Sequence, residues 1–334
     1  MTIRRTALCL ISALVVFNAA AAIAEVSEVK IARQYGIGYL PMMIIERDRL
    51  LEKHARLAGL PDVTATWATF AGAGPMNDAM LSGDLHFAAV GTTSVPILWA
   101  KTHGTAQEIK AVCALSSVPL YLNTRAEHVR TIKDFTKTDR IAVPAIKVST
   151  MAVVLQMAAE QAYGPDNYDK LDALTISRSH PDAMTALLSG AGEINSHFTW
   201  PPFNYRELKS PQVHNVLDSE SVMGGPATTV VVIATKKFRD ANPKIYRAFI
   251  AAMSEADETI RRDRKHAAEV YLGATNDKEP LDDIAGMLKP EQFTLTPQNV
   301  TKFSDFLFRV GVIKQRPDTW KDLFFPEVHD LPGT

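Results

Sequence analysis

Two stretches with the same order of residue types constrain the fold of this chain more than any other feature. They are 75–96, PMNDAMLSG followed by DLHFAAVGTTSVP, and 181–201, PDAMTALLSG followed by AGEINSHFTWP. Each opens with a proline, which suits the first turn of a helix because its missing N–H is not needed there. Leu-Ser-Gly then ends the helix with a glycine that can adopt the left-handed conformation. A short strand, a polar loop and another proline follow in both stretches.

The repeated pattern predicts two similar lobes built from strands and helices. In open α/β sheets a ligand binds beyond the carboxyl ends of the strands, where the polar loops of this pattern lie. Two such units far apart in the chain therefore direct their loops at a shared cleft. We predict an α/β protein of two lobes, each a mixed sheet flanked by helices, with a helical C-terminal tail from Asn242 onward. Residues 42–58 are predicted to form one amphipathic helix.

Residues 1–24 have the features of a secretory signal peptide. Arg4 and Arg5 precede an apolar core at 7–17, and an Ala-Ile-Ala sequence ends at Ala24, where a signal peptidase would cut. The alternative is an uncleaved membrane anchor, but the apolar core is shorter than the ~20 residues that cross a bilayer. Cys9 lies before most of this core and is therefore not a lipidation site. We expect cleavage after Ala24 and a periplasmic location.

The charge and the cysteine content exclude several classes of function. The chain has 36 basic and 37 acidic residues, and loss of Arg4 and Arg5 leaves 34 basic residues and a net charge near −3. Such a chain has no electrostatic reason to bind nucleic acid or an anionic membrane. Cys113 is the one cysteine after position 24, which excludes a disulfide framework, a thiolate zinc site and a redox pair. We predict no cofactor and no metal site.

Candidate ligand contacts in the first lobe follow its predicted strands. Tyr35 and Tyr39 lie in a glycine-containing loop after a strand at 29–33, and each either contacts a ligand or packs under the next helix. Glycines before a helix expose backbone N–H groups, and the helix N-terminus favours an anionic oxygen. The hydroxyl groups at 92–94 can cap a helix or donate to a ligand. The candidates are Tyr39, Gly72, Gly74, Gly91, Thr92 and Thr93.

Candidate contacts in the second lobe lie at helix starts and at one strand end. Ser149 or Thr150 is the predicted N-cap of a helix from 151 to 163, where a ligand would meet the positive end of that helix. Trp200 follows a strand, and its ring can cover a small ligand and offer one N–H. His197 lacks a nearby partner for a metal and is either a ligand contact or a structural histidine, while His180 faces either the cleft or solvent. The candidates are Ser149, Thr150, His197, Trp200 and Gly225.

The chain is predicted to cross between the lobes twice, at 116–118 and at 224–228, where polar or glycine-containing segments lie beside apolar strands. The first lobe is then 25–117 plus 228–334, and the second lobe is 118–227. Domain closure is absorbed by a few residues at such crossings, so both are hinge candidates.

Several short motifs carry a resemblance to a known family. They are IGYLP at 37–41, FAGAGP at 70–75, LSGDLHF at 81–87, Gly91, IKDF at 132–135, RIAV at 140–143 and ALLSG at 186–190. With these motifs, the chain after position 24 resembles the type 2 periplasmic solute-binding proteins of the nitrate/sulfonate/taurine ABC-transporter family. It is also similar to the related binding proteins for thiamin pyrimidine precursors.

The resemblance implies two α/β lobes joined by two crossover strands, with the ligand held between them at helix N-termini. It implies a monomeric periplasmic component of an ABC importer. Such a component captures a small anionic or aromatic solute, of the sulfonate, nitrate and taurine class, and delivers it to a membrane permease and its ATPase subunit. A solute sensor that reports to a membrane receptor is the alternative. Related enzymes carry a cysteine-rich motif that this chain lacks, so no catalytic residue is predicted.

Two departures from the family pattern concern the solute. His86 stands where the family has an acidic residue, and HFTW at 197–200 replaces a simpler Trp-x-Pro ending. No arginine is assigned to the cleft. A small oxyanion would then be held by helix N-termini and hydroxyl groups, whereas a planar heteroaromatic solute would use Tyr35, Tyr39 and Trp200. Both classes of solute stay open.

Overall fold

The computed structural model describes residues 24–190 and 192–334. The predicted signal peptide lies outside these residues except for Ala24. Within the described ranges, no helix combines the length and the apolar character needed to cross a membrane.

Strands and helices alternate through most of the chain, and helices alone follow the last strand. The strands are β1 (Glu28–Arg33), β2 (Thr64–Thr69), β3 (Phe87–Gly91), β4 (Ile109–Ser116), β5 (Tyr121–Thr124), β6 (Ile141–Val143), β7 (Thr175–Ser177), β8 (Ser196–Thr199), β9 (His214–Asp218) and β10 (Val230–Thr235). The helices before β10 are α1 (Leu40–Arg47), α2 (Leu50–Leu57), α3 (Ala73–Ser82), α4 (Ser94–Thr102), α5 (Thr150–Tyr163), α6 (His180–Ser189), α7 (Phe203–Leu208) and α8 (Ser219–Met223). Those after it are α9 (Lys236–Ala241), α10 (Pro243–Arg262), α11 (Arg264–Thr275), α12 (Leu281–Met287), α13 (Val300–Arg309) and α14 (Trp320–Leu323).

The strands form two five-stranded mixed sheets with the same topology. Their orders are β2-β1-β3-β10-β4 and β7-β6-β8-β5-β9. In each sheet the first three strands in this order are parallel, and the fourth is antiparallel to both of its neighbours. We call the first sheet with α1–α4 and α9–α14 the first lobe, and the second sheet with α5–α8 the second lobe. The predicted fold class, two mixed sheets flanked by helices with a helical C-terminal region, is confirmed.

The two repeated stretches occupy equivalent places in the two sheets. The first stretch forms α3 and β3, and the second forms α6 and β8. Gly83 and Gly190 end these helices with left-handed φ angles of 82° and 66°, as the glycine positions predict. β3 and β8 are each the third of five strands, so the loops that follow them start at the middle of their sheets.

The C-terminal helices are anchored to the first lobe by aromatic and aliphatic packing. Strand β10 reads VVVIAT and is buried along its whole length, as is typical of a strand that is covered on both faces. Phe87 of β3 stacks on Phe249 of α10 with ring centroids 4.0 Å apart. Helix α10 also packs on α1 and α2. The tail therefore covers the first sheet.

The prediction of a single helix at 42–58 is wrong. Helix α1 ends at Arg47, and α2 begins at Leu50, because Arg49 adopts a left-handed conformation with φ of 52°. After the break, the two helices pack differently. Helix α1 packs on α10 and α11, whereas α2 packs mainly on α10.

The two crossings between the lobes lie side by side and are hydrogen-bonded to each other. The Thr229 backbone N–H donates to the Ser116 carbonyl at 2.9 Å, and the Thr229 hydroxyl donates to the Val118 carbonyl at 3.0 Å. Thr92 supports the second crossing, because its hydroxyl donates to the Thr228 carbonyl at 2.7 Å.

Candidate functional site

A small cavity lies between the lobes, where the ends of the middle strands meet. The volume in it that is open to water-sized molecules is about 20 Å³, which is room for about one or two waters with the lobes in this position. The lining residues are drawn from both lobes and from the first crossing, and among the described residues none of them is Lys, Arg, Asp or Glu. They are Gln34, Tyr35, Tyr39, Ala71, Ala73, Gly91, Leu120, Pro144, Ser149, Thr150, Met151, His180, Trp200 and Thr229.

Three helices begin at this cavity. They are α3 at Ala73, α5 at Thr150 and α6 at His180, and all three first residues line it. Ser149 caps α5, because its hydroxyl accepts a hydrogen bond from the Ala152 backbone N–H at 3.3 Å. The positive ends of three helix dipoles therefore converge on one small space that has no charged side chain in its wall, which favours an anionic or electron-rich group there.

Aromatic rings form one side of the cavity. Trp200 of the second lobe lies edge-on to Tyr39 of the first lobe, with ring centroids 5.3 Å apart and planes at 80°. The Trp200 indole N–H donates to the Tyr35 carbonyl across the lobe boundary at 3.2 Å. Burial raises the pKa of Tyr39 far above its ordinary value, so its hydroxyl stays protonated. Trp200 covers the cavity, and its N–H is already used to hold the lobes together.

Glycine at position 36 is required by the position of this indole. Gly36 has φ of 117°, which L side chains rarely adopt, and a Cβ there would lie 2.1 Å from Trp200 Nε1. A Cβ on Gly38 would lie 2.6 Å from another atom of the same ring. The loop after β1 is therefore shaped to receive the ring.

Further contacts hold the lobes together around the cavity. The Ile37 backbone N–H donates to the Pro201 carbonyl at 3.0 Å. The Thr93 hydroxyl donates to the Val148 carbonyl at 2.7 Å. At the outer edge, Arg206 of α7 pairs with Asp277, which follows α11, and the side chains of these two residues are only 18% and 7% exposed. The structure thus shows the lobes in direct contact, with the cavity between them.

Five of the residues proposed from the sequence line the cavity: Tyr39, Gly91, Ser149, Thr150 and Trp200. Thr150 and Gly91 meet across the lobe boundary, since a Cβ on Gly91 would lie 2.5 Å from the Thr150 hydroxyl oxygen. Glycine therefore allows the close approach of β3 to the start of α5.

The other proposed residues do not line the cavity. Thr92 and Thr93 direct their hydroxyls at backbone carbonyls, as described above. Gly72 abuts the second lobe, because a Cβ there would lie 2.8 Å from the Pro144 carbonyl oxygen. His197 is fully buried behind His180. Gly74 and Gly225 have open space around their Cα atoms.

Several lining residues were not proposed from the sequence. These include Gln34 after β1, and Leu120 and Thr229 beside the two crossings. Nothing in the local sequence pattern identifies them as ligand contacts. His180, which the sequence left open between cleft and solvent, lines the cavity and is 5% exposed. The sequence did offer a reason to expect this position, since His180 directly precedes the proline that opens the second repeated stretch.

Comparison with known proteins agrees with this architecture. The alkanesulfonate-binding protein SsuA from Xanthomonas axonopodis pv. citri, bound to MOPS, has a TM-score of 0.69 at 16% identity, covering 90% of this chain and 99% of that one. The periplasmic aliphatic sulphonate-binding protein SsuA from Escherichia coli has a TM-score of 0.64 at 19% identity, with 90% and 99% covered. The periplasmic nitrate-binding protein NrtA from Synechocystis PCC 6803 has a TM-score of 0.65 at 15% identity, with 89% and 84% covered.

No curated protein matches the chain in sequence. The structural neighbours show that the chain has the fold of periplasmic solute-binding proteins. The model of the NMT1-like family matches residues 22–272, which is most of the chain. The predicted family resemblance is thereby confirmed, and the chain belongs to the NMT1-like family.

Proposed function

We propose that this protein is the periplasmic solute-binding component of an ABC importer. It captures a small solute between its lobes and delivers it to a membrane permease and its ATPase subunit, acting as a monomer and without catalysis. The observation that carries the proposal is the cavity enclosed between the lobes, where three helix N-termini meet an aromatic wall. The two adjacent crossings are proposed as the hinges for opening, with lobe boundaries at 117/118 and 227/228.

The solute that suits this cavity is a small anionic or aromatic molecule. An oxygen carrying negative charge would be stabilised by the starts of α3 and α5 and by the Thr150 hydroxyl. A flat apolar part would lie against Trp200 and Tyr39. An aromatic sulfonate or carboxylate satisfies both features. The resemblance to sulfonate-binding proteins supports this class, and the SsuA neighbour bound to MOPS shows the fold holding a sulfonate.

An uncharged heteroaromatic solute, of the thiamin pyrimidine-precursor type, is the second candidate. It is favoured by the aromatic wall and by the lack of a Lys or Arg side chain among the described lining residues. Ring nitrogens would then accept hydrogen bonds from the helix N-termini in place of anionic oxygens.

A thermal-shift screen separates these candidates. The purified protein is tested against aliphatic and aromatic sulfonates, nitrate, bicarbonate, aromatic carboxylates and aminopyrimidines. A ligand at a hundredfold excess over its Kd stabilises the native state by about 2.7 kcal/mol, so a true solute raises the Tm. We expect aromatic acids to give the largest rise; a rise with aminopyrimidines alone supports the second candidate, and no rise with any of these compounds contradicts both.

The position of the site is tested with four variants. Trp200→Ala and Thr150→Val are expected to weaken binding of the solute found in the screen, by about tenfold for the tryptophan because a large buried ring contact is lost. Trp67→Ala and Thr185→Val are the matched controls, because Trp67 lies on the edge strand β2 and Thr185 on the exposed face of α6. Equal losses in the variants and their controls would contradict the proposed site.

A further inference from the structure

Two imidazoles and a carboxyl group form a buried chain that ends at the cavity. His180 Nδ1 lies 2.9 Å from His197 Nε2, and His197 Nδ1 lies 2.5 Å from Glu207 Oε1. His197 and Glu207 are fully buried, and His180 is 5% exposed. This hydrogen-bonded series of side chains starts with Glu207 on α7, continues with His197 on the middle strand β8, and reaches the cleft at His180, the first residue of α6.

We propose that this chain fixes His180 as a hydrogen-bond donor to the solute, with Glu207 and His197 as positioning residues that set the proton on His180 Nε2. The inference rests on the proposed solute-binding role of the cavity and specifies which chemical group the cavity recognises. It assigns the solute an acceptor atom, an anionic oxygen or an unprotonated ring nitrogen, beside His180.

The direction of the chain follows from counting protons. Between Glu207 and His197, and between His197 and His180, each hydrogen bond requires one proton. An electrically neutral Glu-His-His set carries three protons, counted from a carboxylate and two fully deprotonated rings. The other carboxylate oxygen, Glu207 Oε2, accepts a hydrogen bond from the Asn123 side-chain amide at 2.9 Å. The third proton is therefore left for the remaining nitrogen, Nε2 of His180, wherever the charges are distributed within the set.

The neutral set is favoured because the chain is removed from water. One proton fewer would leave a net negative charge on fully buried groups, which is costly when no cation compensates it. Among the described residues, the one salt-bridge partner of Glu207 is His197. Only that negatively charged state would present an acceptor lone pair to the cavity.

The surroundings of His180 agree with this assignment. The Thr199 hydroxyl lies 3.1 Å from His180 Nδ1 and can donate, as a second donor beside His197, to the one lone pair of an unprotonated Nδ1. Burial, and then the neighbouring His197, lower the pKa of His180 well below its ordinary value, so the His180 ring is neutral and carries one proton. The ionisable group in direct contact with His180 is His197, which is backed by Glu207, and the cavity wall also includes the hydroxyl-bearing rings of Tyr35 and Tyr39.

Packing fixes the ring in place. His180 stacks on Phe203 with ring centroids 5.4 Å apart and planes at 23°, and its centroid lies 6.0 Å from that of Trp200. Its Nε2 has no hydrogen-bond partner among the residues that the structure describes, while Nδ1 has two neighbours. The free nitrogen belongs to a ring that lines the cavity. A solute with an N–H group at this place would meet another donor and be rejected.

The test reads the tautomer directly and needs no solute. The protein is labelled with ¹⁵N-histidine, and long-range ¹H–¹⁵N spectra are recorded from pH 6 to pH 8. Spectra of His180→Asn and His197→Asn assign the two rings among the nine histidines of the chain. We expect His180 to carry its proton on Nε2 with Nδ1 bare throughout this range. A proton on Nδ1 with Nε2 bare would overturn the proposal.

Two substitutions at Glu207 test the relay itself. In Glu207→Gln the amide oxygen keeps the bond from Asn123 and the amide N–H donates to His197 Nδ1, so the His180 tautomer should not change. Glu207→Leu removes the hydrogen-bond partner of His197 Nδ1, and a mixture of His180 tautomers is expected. An unchanged His180 spectrum in folded Glu207→Leu would contradict the relay. If that variant does not fold, the His180 tautomer in the wild type and in Glu207→Gln still tests the proposal.

The remote pair of His103 and Glu108 provides the matched control. These side chains are hydrogen-bonded at 2.6 Å in the first lobe, away from the cavity. Glu108→Gln should leave the His180 signals in place. Because all these spectra are recorded without a solute, a failed solute screen would contradict the proposed function and leave the tautomer result standing.

Discussion

Asp257, in helix α10, is a buried carboxyl group that should make the stability of this protein fall as the pH rises. Its side chain is 1% exposed, and neither carboxylate oxygen has a hydrogen-bond partner within the described part of the chain. Burial raises the pKa of Asp257 to about 7, and Arg261 offsets only part of this effect. The native state therefore binds a proton here at pH values where the unfolded chain, with an ordinary pKa of 3.8, has released it.

The size of the effect follows from the two pKa values. One pKa unit corresponds to about 1.4 kcal/mol, so the full difference is about 4 kcal/mol. Because the native state binds more protons between these pKa values, the free energy of unfolding decreases from about pH 4 to about pH 7 and then levels off. Between pH 5 and pH 8, the contribution of Asp257 is a loss of about 3 kcal/mol.

Urea unfolding of the wild type and Asp257→Asn at pH 5 and pH 8 measures this contribution. The isosteric amide cannot ionise. Between pH 5 and pH 8, the free energy of unfolding of the variant should therefore fall by about 3 kcal/mol less than that of the wild type. The comparison of two pH values cancels any pH-independent cost of the amide. Asp62→Asn, at an exposed position, is the control and should follow the wild type. Parallel pH dependence in the wild type and Asp257→Asn would refute the reasoning.

Two further predictions concern the contacts between the lobes. Gly36→Ala should lower the free energy of unfolding more than Gly225→Ala, because both residues have positive φ but only position 36 faces the Trp200 ring; equal losses in urea unfolding would contradict this steric account. Arg206→Ala, which removes a largely buried ion pair between the lobes, should cost about 1–3 kcal/mol by the same assay. Lys236→Ala, which removes an exposed pair within α9, should cost less than about 1 kcal/mol, and a similar cost for both would show that the lobe contact adds no stability.

The repeated helix-strand units were predictable from the sequence because their signals act over a few residues. A glycine that ends a helix needs only its own φ angle, and Gly83 and Gly190 both adopt the left-handed region at the predicted places. Ser149 was one of the two predicted N-caps and caps α5 in the structure. The sequence also predicted two mixed sheets and a cleft at the polar loops of the two repeated stretches.

The partners of side chains across the lobe boundary could not be predicted in this way. The hydroxyls of Thr92 and Thr93 were plausible ligand donors in the sequence, yet each binds a carbonyl group from a distant part of the chain. No glycine or proline in the sequence predicts the break at Arg49 between α1 and α2. In each case the competing contact comes from an element far away in sequence, so local pattern carries no information about it.

Local sequence was thus sufficient for the repeated helix-strand units and the family, because caps and hydrophobic periodicity depend on neighbouring residues. The cavity itself depends on how two separately folded sheets meet. Gly36 receives the Trp200 ring, and His180 is backed by His197 and Glu207, through contacts between different elements. Packing in three dimensions chooses these partners, and it leaves His180 with one ring nitrogen for the cleft.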